Sequence, residues 1–341
     1  MTTPKEAVRV AIAGASSLLG KELNVWLEES NFPASDIRLV DEEFVAGTLT
    51  EAGGEPAIIE TVTEDSFERV RFAFFTGSPE FSKRHAEEAR RAGAVVIDLS
   101  GGLGADPNAR LWIPALDAVL ASPLDSAPHG EPQSLFVAPS APADVAISIS
   151  AALAPAGLER LVLTVLQPVS EHGPEAIEEL ESQVVKLLSF QPVSQTVFDA
   201  QVGFNMLSSY GPESRIKLAD ARAKIASESR RYLVGRAPVP AIMLVQAPVF
   251  YSHAFTAYAE FKAAPSLEDV TGRLQSSGLK VARAKDEPPT NVNIVGEVRP
   301  VLRQPERDPG IETGVWLWGA ADNLRVPAAT AVSIAEKLLA S

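Results

Sequence analysis

The sequence predicts an α/β protein: a Rossmann-type, doubly wound parallel sheet domain followed by an α+β domain. Three observations lead to this prediction. An apolar, β-rich run at 8–13 leads through a glycine-containing turn into a helical pattern, and strand and helix patterns go on alternating up to residue 98. After about residue 140 long β-rich runs are separated by single helices. The chain has 341 residues, enough for two such domains.

The first domain is predicted at 1–138. Its strands are expected at 8–13, 37–40, 70–75 and 95–98. Its first helix shows apolar residues at helical spacing, which are Leu19, Leu23, Trp26 and Leu27. A second helix is expected at about 82–92, and a loop at 121–133. We expect the C-terminal segment 321–341, with a helix started by Pro327, to complete this domain.

The second domain is predicted at 139–320 and is the α+β part of the chain. Its β-rich runs are 161–166, 241–249, 255–261, 292–298 and 315–318. One helix is expected after Gly173-Pro174, and a second from about Glu213 to Leu233. A third begins after Ser266, whose position suits an N-cap. Hairpin-like strands with segregated helices indicate the α+β class.

Composition excludes several classes of function. The formal net charge is −14 and the pI about 4.9, so the chain repels nucleic acid and anionic membranes. With no cysteine it has neither a disulfide framework nor a thiolate zinc site, and its four histidines have no ligand spacing. We therefore expect no metal. The N-terminus shows no signal-peptide pattern and no apolar run is long enough to span a bilayer, so we expect a cytoplasmic protein.

The turn at Gly14–Gly20 is the main candidate binding site. A glycine-rich turn between a first strand and its helix brings backbone N–H groups and the helix dipole onto a pyrophosphate. Ser17 stands where the middle glycine of the dinucleotide-binding pattern is expected, and a serine hydroxyl can itself bind phosphate. The residues predicted to contact the cofactor in this turn are Gly14, Ser16, Ser17, Leu18, Leu19 and Gly20.

An acidic run after the second strand indicates which dinucleotide is bound. Asp41-Glu42-Glu43 begins about 20 residues after Gly20, where carboxylates accept hydrogen bonds from the adenosine ribose and repel a 2′-phosphate. Asp41 and Glu42 therefore predict NAD in preference to NADP. The alternative is a doubly wound domain that keeps its turn and binds nothing.

Six motifs, taken in order, carry a resemblance that covers nearly the whole chain. They are Gly14–Gly20, Asn31–Pro33, Ala92–Asp98, Gln167–Ser170, Ala247–His253 and Ala321–Arg325. Together they resemble the aspartate-semialdehyde dehydrogenase family, and within it the cysteine-poor, divergent branch often called USG-1-like. The resemblance implies reductive dephosphorylation of an acyl phosphate: a cysteine thiolate attacks, a histidine manages protons, NADPH reduces the thioester, and arginines hold the substrate's anionic groups.

Several of the family's catalytic positions carry other residues in this chain. By the resemblance, the nucleophile's position corresponds to Pro142 and the preceding asparagine's to Ala141. The two substrate arginines correspond to Gly104 and Gln246, and a glutamate of the substrate helix to Ala221. A proline side chain has no nucleophile, so no thioester can form there. In addition, Glu42 and Phe44 lie near the positions that read the 2′-phosphate of NADP in the family.

Four positions keep the family's residue. The resemblance makes Gln167 the substrate-orienting glutamine, His253 the acid–base histidine and Lys224 a lysine of the substrate helix. Asn323 also matches and is assigned to the cofactor site. Three of them have a structural alternative: Gln167 as a side chain that satisfies backbone groups, His253 as a hydrogen-bonded framework histidine, and Lys224 as a solvated charge.

The sequence leaves two functions open. The first is a homodimeric NAD-binding protein that has lost phosphorylating dehydrogenase activity. The second is an NAD-dependent oxidoreductase that acts on a different carbonyl, using Gln167 and His253 without a covalent thioester. Replacement chemistry is a further alternative, with a serine such as Ser140 in place of the thiol or with Asp144 as a general base for water. The homodimer is implied by the resemblance, since the family's second domain pairs through a sheet; a small-molecule ligand remains open.

Overall fold

The structure is a computed structural model that describes residues 7–52, 54–120 and 133–340. The chain divides into two compact units. Within the described residues the first unit comprises 7–52, 54–114, 133–139 and 327–340, and the second comprises 115–120 and 140–326. The predicted loop at 121–133 falls almost entirely outside the described residues.

The helices and strands have the following bounds. The helices are α1 (Leu18–Glu29), α2 (Pro79–Arg91), α3 (Ala141–Leu153), α4 (Pro174–Leu188), α5 (Leu218–Leu233), α6 (Leu267–Ser276) and α7 (Arg325–Ala340). The strands of the first unit are β1 (Val8–Ala13), β2 (Ala34–Asp41), β3 (Leu49–Ala52), β4 (Glu55–Ile58), β5 (Glu60–Thr61), β6 (Phe72–Phe75), β7 (Val95–Asp98), β8 (Arg110–Leu111) and β9 (Leu135–Val137). Those of the second unit are β10 (Leu158–Gln167), β11 (Ala241–Gln246), β12 (His253–Phe261), β13 (Lys280–Val281), β14 (Val301–Leu302), β15 (Glu306–Arg307) and β16 (Gly314–Ala321).

The first unit is built on a parallel sheet. Its strand order in the described part of the chain is β5-β2-β1-β6-β7-β9-β8, and every pairing is parallel. All four residues of β6 are buried, as expected for a central strand covered on both faces. Residues of α1 and α7 pack into the same core, among them Leu23, Ala331 and Ile334. The doubly wound parallel sheet predicted from the sequence is therefore confirmed.

Local sequence explains how α2 begins and ends. The Ser78 hydroxyl accepts a hydrogen bond from the Phe81 N–H at 3.1 Å, and Pro79 occupies the first turn, where its missing N–H costs nothing. Glu80 in the first turn and two arginines in the last turn complement the helix dipole. The helix starts three residues before the sequence-based estimate of 82, because apolar periodicity does not register the serine cap.

The second unit contains a mixed sheet. Among the described residues its order is β11-β10-β12-β16-β14-β13, with β15 beside β16. β10 pairs with β11 in parallel and with β12 antiparallel, and β12 pairs antiparallel with β16. The architecture predicted from the sequence, a parallel sheet domain followed by an α+β domain, is confirmed.

The strand predicted at 292–298 is wrong. The segment forms turns, because the Thr290 hydroxyl accepts from the Val292 and Asn293 N–H groups and the Asn293 side chain accepts from the Thr290 N–H. Gly296 then takes a positive φ of 83°, which a strand does not allow. The apolar residues that suggested a strand do not share a buried face: Ile294 is 3% exposed, whereas Val292 is 75% exposed.

Two other predicted helix starts differ from the structure. α5 begins at Leu218 and not near Glu213, since the Ser214 side chain bonds to the carbonyls of Val197 and Ile216. α7 begins at Arg325, two residues before Pro327, because the Asp322 carboxylate accepts from the Arg325 N–H. Ser266 is the N-cap residue of α6, as predicted, but its hydroxyl makes no capping hydrogen bond.

No helix in the described ranges is long and apolar enough to cross a membrane.

Candidate functional site

The turn between β1 and α1 forms the candidate cofactor site of the first unit. Gly14 has a φ of +94°, and a Cβ at this position would overlap the backbone of Gly77. A Cβ on Gly20 would lie 2.6 Å from the carbonyl oxygen of Gly14. Both glycines are therefore required by the close approach of three backbone segments, which the sequence pattern anticipated.

The Ser17 hydroxyl is engaged within the protein. It accepts from the Gly20 N–H at 2.9 Å as the N-cap of α1, and it donates to the carbonyl of Thr76 at 2.9 Å. The N–H groups of Leu18 and Leu19 have no protein acceptor within the described ranges. These two donors, together with the helix dipole, are the groups in this turn that suit a pyrophosphate. The Ser17 hydroxyl helps to position these N–H groups. Because it already donates to Thr76 and accepts from Gly20, its role is structural.

The acidic residues at the end of β2 have separate roles. The Asp41 carboxylate is buried and accepts from the Ser16 N–H and the Glu42 N–H, both at 2.8 Å. It thus ties the glycine-containing turn to β2. The Glu42 carboxylate lies 3.2 Å from the guanidinium of Arg84 on α2, and 28% of its side chain is exposed. Of the two carboxylates predicted to read the ribose, Glu42 is the one that faces solvent.

The start of α3 carries no nucleophilic thiol. Ser140 is the N-cap residue, and Pro142 lies buried in the first turn. The Ser140 hydroxyl caps no helix N–H; it donates to the buried carboxylate of Glu228 at 2.6 Å, and the Ser140 N–H contacts the same oxygen at 3.3 Å. A carboxylate of α5 is therefore held against a helix N-terminus, where negative charge is stabilised. The Asp144 carboxylate accepts from the Ser148 hydroxyl at 3.0 Å, and the Asp144 N–H donates to the carbonyl of Ser140 at 2.9 Å.

A neutral polar cluster lies at the ends of β10 and β11. Gln246 is fully buried, and its Nε2 donates to the carbonyls of Gln167 and Ala247 at 2.9 and 3.0 Å. Its Oε1 accepts from the Tyr210 hydroxyl at 2.7 Å. The same hydroxyl is 2.8 Å from Nε2 of His172, which in turn is 3.0 Å from Nε2 of Gln167. The side-chain oxygen and nitrogen of Gln246 are thus occupied by protein partners, and no cation stands at this position.

His253 and Asn323 lie in the same unit, at the start of β12 and beyond the end of β16. The Asn323 amide oxygen accepts from the Ser252 N–H at 2.9 Å, and its nitrogen donates to the Ser170 hydroxyl at 3.1 Å. Asn323 is 4% exposed, so the structure uses it to hold the two segments that flank the cluster. Its assignment to the cofactor stays a prediction. His253 is 1% exposed, and neither ring nitrogen has a hydrogen-bond partner in the described part of the chain.

Glu171 connects His253 with the rest of the cluster. One of its carboxylate oxygens lies 3.8 Å from Nε2 of His253. Loss of hydration raises the pKa of Glu171, and His172, Asn323 and Lys224 oppose that rise. The carboxylate is only partly dehydrated, because 29% of the side chain is exposed to solvent. Lys224 therefore acts on Glu171 electrostatically, in addition to being exposed on α5. Burial also lowers the pKa of His172 and raises that of Tyr210, so both side chains are neutral at pH 7.

Burial lowers the pKa of His253 to about 3, with Asp322 acting in the opposite direction. An unfolded histidine titrates near 6.5, so between these pH values the unfolded chain binds a proton that the folded chain does not. The free energy of unfolding should therefore fall as pH falls from about 6.5 towards 3, by up to about 1.4 kcal/mol per pH unit from this group. His172 acts in the same direction.

Urea unfolding of the wild type and of His253→Asn from pH 7 to pH 4 measures this contribution. We expect a shallower pH dependence in the variant, whatever its absolute stability. Equal slopes in the two proteins would show that His253 does not remain neutral in the folded state.

The two remaining positions, assigned to a substrate arginine and to a glutamate of the substrate helix, hold uncharged residues. Gly104 lies in a loop that the buried Asp98 carboxylate organises by accepting from Ser100 and Leu103. Ala221 lies on α5. No group of three or more potential metal ligands occurs in the described residues.

Sequence reasoning missed four residues of this site: Glu171, His172, Tyr210 and Glu228. The first two directly follow the Gln167–Ser170 motif, which was a usable signal. Tyr210 reaches Gln246 because the short bridge between Leu207 and Gln246 brings an otherwise irregular segment to the end of β11. No sequence pattern marks that bridge, nor the contact between Glu228 and Ser140 across 88 positions.

Comparison with known proteins matches both units to semialdehyde dehydrogenase domains. The model described as semialdehyde dehydrogenase, NAD binding domain, matches residues 9–122, and the one described as semialdehyde dehydrogenase, dimerisation domain, matches residues 150–326. Aspartate-semialdehyde dehydrogenase 2 of Vibrio cholerae is 28% identical over 340 residues, 97% of each chain. A USG-1 protein homolog of Pseudomonas aeruginosa is 29% identical over 343 residues, 98% of each chain.

Solved structures agree with these matches. Aspartate semialdehyde dehydrogenase II of Vibrio cholerae, crystallised with ASA, superposes with a TM-score of 0.84 at 27% identity, covering 98% of this chain and 99% of that one. A probable aspartate-semialdehyde dehydrogenase of Pseudomonas aeruginosa gives the same TM-score at 28% identity, with the same coverage. The resemblance drawn from the sequence motifs is confirmed. The chain belongs to the aspartate-semialdehyde dehydrogenase family, in its USG-1-like branch, and contains the NAD(P)-binding domain of that family.

Proposed function

We propose that this protein binds NAD through its first unit and has lost the phosphorylating semialdehyde dehydrogenase reaction of its family. The observation that carries the proposal is the start of α3. There Pro142 occupies the position that the family resemblance assigns to the nucleophile, and the chain contains no cysteine to replace it. Without a thiolate there is no thioester for the nicotinamide to reduce.

The surroundings of Pro142 support the same proposal. The helix N-terminus, which in a thiol enzyme lowers the pKa of the nucleophile, is taken by the carboxylate of Glu228. The position assigned to a substrate arginine is Gln246, whose side chain is saturated by backbone carbonyls and by Tyr210. Each of these groups contributes orders of magnitude to the rate in enzymes of this type, so their joint absence leaves little of the reaction.

The part of the first unit that we propose to bind the cofactor, the turn at Gly14–Gly20 and the end of β2, has the geometry that binding requires. Gly14 and Gly20 shape the turn, the N–H groups of Leu18 and Leu19 have no protein acceptor within the described ranges, and Glu42 carries negative charge at the end of β2. This arrangement supports NAD in preference to NADP. The residues proposed to contact the cofactor are those of the turn and Glu42, with Asp41 holding the turn in place.

Thermal unfolding with NAD, NADH and NADP tests the cofactor half. Ligand at about 100 times its dissociation constant stabilises a protein by about 2.7 kcal/mol, which is a readily measured rise in Tm. We expect NAD or NADH to raise Tm and NADP to raise it less. An unchanged Tm with all three would reject cofactor binding.

A second candidate function is an NAD-dependent oxidoreductase on an unphosphorylated carbonyl or alcohol. The observation that favours it is His253, a buried neutral imidazole without a protein partner on either ring nitrogen, 3.8 Å from Glu171. A neutral imidazole can hydrogen-bond the hydroxyl or carbonyl of a substrate through either ring nitrogen. A screen of carbonyls and alcohols at the NADH absorbance band tests this candidate, and turnover that survives His253→Asn and Gln167→Leu would remove the roles assigned to these residues.

We propose that the protein is a homodimer paired through the mixed sheet of the second unit. The dimerisation-domain match supports this, and so does one face of the sheet. Val162 pairs with Tyr258, and Tyr258 with Trp316, so these side chains share a face. Large apolar side chains on it are partly exposed: Val162 37%, Met243 40%, Trp316 42% and Trp318 38%.

Lysines at Val162 and Met243 should weaken this dimer. Light scattering of the wild type is expected to give twice the chain mass, and the double variant Val162→Lys/Met243→Lys should shift towards the monomer at micromolar concentration, since charge is then buried in the interface. Gln191→Lys, on an exposed residue after α4, is the matched control. A monomeric wild type would contradict the proposal.

A further inference from the structure

The ion pair between Glu42 and Arg84 has no role in the family's chemistry described above. Nη1 of Arg84 lies 3.2 Å from Oε1 of Glu42 and 3.3 Å from Oε2, so the guanidinium faces both carboxylate oxygens. The pair joins the end of β2 to α2, and both side chains are in contact with solvent: 57% of Arg84 and 28% of Glu42 are exposed. An exposed pair of this kind contributes only about 0–1 kcal/mol to stability. Stability alone therefore gives little reason for it.

The position of the pair is fixed by the cofactor turn. Asp41 accepts from the Ser16 N–H with one oxygen and from the Glu42 N–H with the other. The backbone of Glu42 is thereby tied to the turn that would hold the pyrophosphate. In Rossmann-type domains the acidic group that meets the adenosine ribose stands at this end of the second strand.

We propose that the Glu42–Arg84 pair is the cofactor-selectivity element of this protein, an inference that rests on the proposed binding of NAD. Glu42 accepts from the ribose hydroxyls of NAD and repels a 2′-phosphate. It also holds the Arg84 guanidinium, whose fork of N–H donors can bind a phosphate in bidentate fashion. Removal of Glu42 alone therefore has two consequences: the repulsion disappears, and Arg84 is released as a phosphate ligand.

The test uses the dissociation constants of NADH and NADPH, measured by fluorescence titration of the full-length protein. Four proteins are compared: wild type, Glu42→Gln, Glu42→Gln/Arg84→Met and the matched control Glu42→Gln/Lys83→Met. Lys83 is the exposed neighbour of Arg84 on α2, and its replacement removes the same charge without touching the pair.

We expect the wild type to prefer NADH, and Glu42→Gln to bind NADPH at least about tenfold more tightly than the wild type does, because a charge-assisted contact is gained and a repulsion lost. Arg84→Met should cancel most of that gain, and Lys83→Met should leave it within about twofold. The gain should also shrink as salt is raised.

Three outcomes would overturn the inference. If the wild type binds NADH and Glu42→Gln leaves the NADPH affinity unchanged, Glu42 does not set selectivity. If Glu42→Gln/Arg84→Met keeps the full gain, Arg84 is not the phosphate ligand. If the wild type binds neither nucleotide, the inference fails together with the cofactor half of the proposed function, and this result is distinguishable from the other two.

Discussion

Replacing Gly14 with alanine is expected to destabilise the protein by about 3 kcal/mol and to abolish cofactor binding. The new Cβ would overlap the backbone of Gly77, and the φ of +94° is costly for any residue with a side chain. Relief requires the turn to move away from β6. That movement would displace the Leu18 and Leu19 N–H groups, the donors proposed to bind the pyrophosphate.

Thermal unfolding and NADH titration of the purified variant measure both effects. Gly272→Ala is the matched control: Gly272 lies inside α6 with open space around it, so alanine there should stabilise the helix by about 0.5–1 kcal/mol. A Gly14→Ala protein with wild-type Tm and wild-type NADH affinity would show that the turn is not built as described.

Replacing Glu179 with alanine is expected to cost about 3–5 kcal/mol, the second large effect. Glu179 on α4 is 5% exposed, and its carboxylate accepts from the Thr196 hydroxyl at 2.8 Å and from the Val197 N–H at 2.5 Å. Alanine would leave these donors without an acceptor and open a cavity beneath the segment that carries Phe198.

The consequence should reach the polar cluster. The ring of Phe198 packs edge-on against His172 at 5.7 Å and against Tyr210 at 5.2 Å between centroids. Loss of the Glu179 contacts should therefore loosen Tyr210, which donates to Gln246, and His172, which contacts Gln167 and Tyr210. Urea unfolding followed by circular dichroism gives the free energy. Glu178→Ala, the exposed neighbour on α4, should change it by less than about 0.5 kcal/mol. Equal effects of the two substitutions would contradict the structural role of Glu179.

Sequence reasoning succeeded where the requirement is local. Gly14 and Gly20 were recognisable because a tight turn before a helix needs glycine at those spacings, and the structure shows the backbone contacts that demand it. The strand at 292–298 failed for a local reason as well: Thr290 and Asn293 capture the backbone N–H groups that a ladder would need.

The polar cluster could be predicted only in part. Gln167 and His253 were named from motifs, and the structure places them in one unit with Glu171 and His172 between them. Tyr210 and Glu228 come from segments distant in sequence, and their partners are fixed by tertiary packing that no single-sequence pattern encodes. The same packing explains why the neutral Gln246 is stable where the family resemblance implies an arginine: three protein groups saturate its amide.

The central claim is that this protein keeps the cofactor half of its family's site and lacks the covalent half. The most direct test is the phosphate-dependent oxidation of aspartate semialdehyde by the wild-type protein, followed at the NADH absorbance band with NAD and NADP in parallel, at concentrations where nucleotide binding has been shown. The account predicts no phosphate-dependent formation of NADH or NADPH, with a cysteine-containing dehydrogenase of the family as the positive control. Sustained phosphate-dependent turnover would contradict it, since it would require a nucleophile other than the missing thiol.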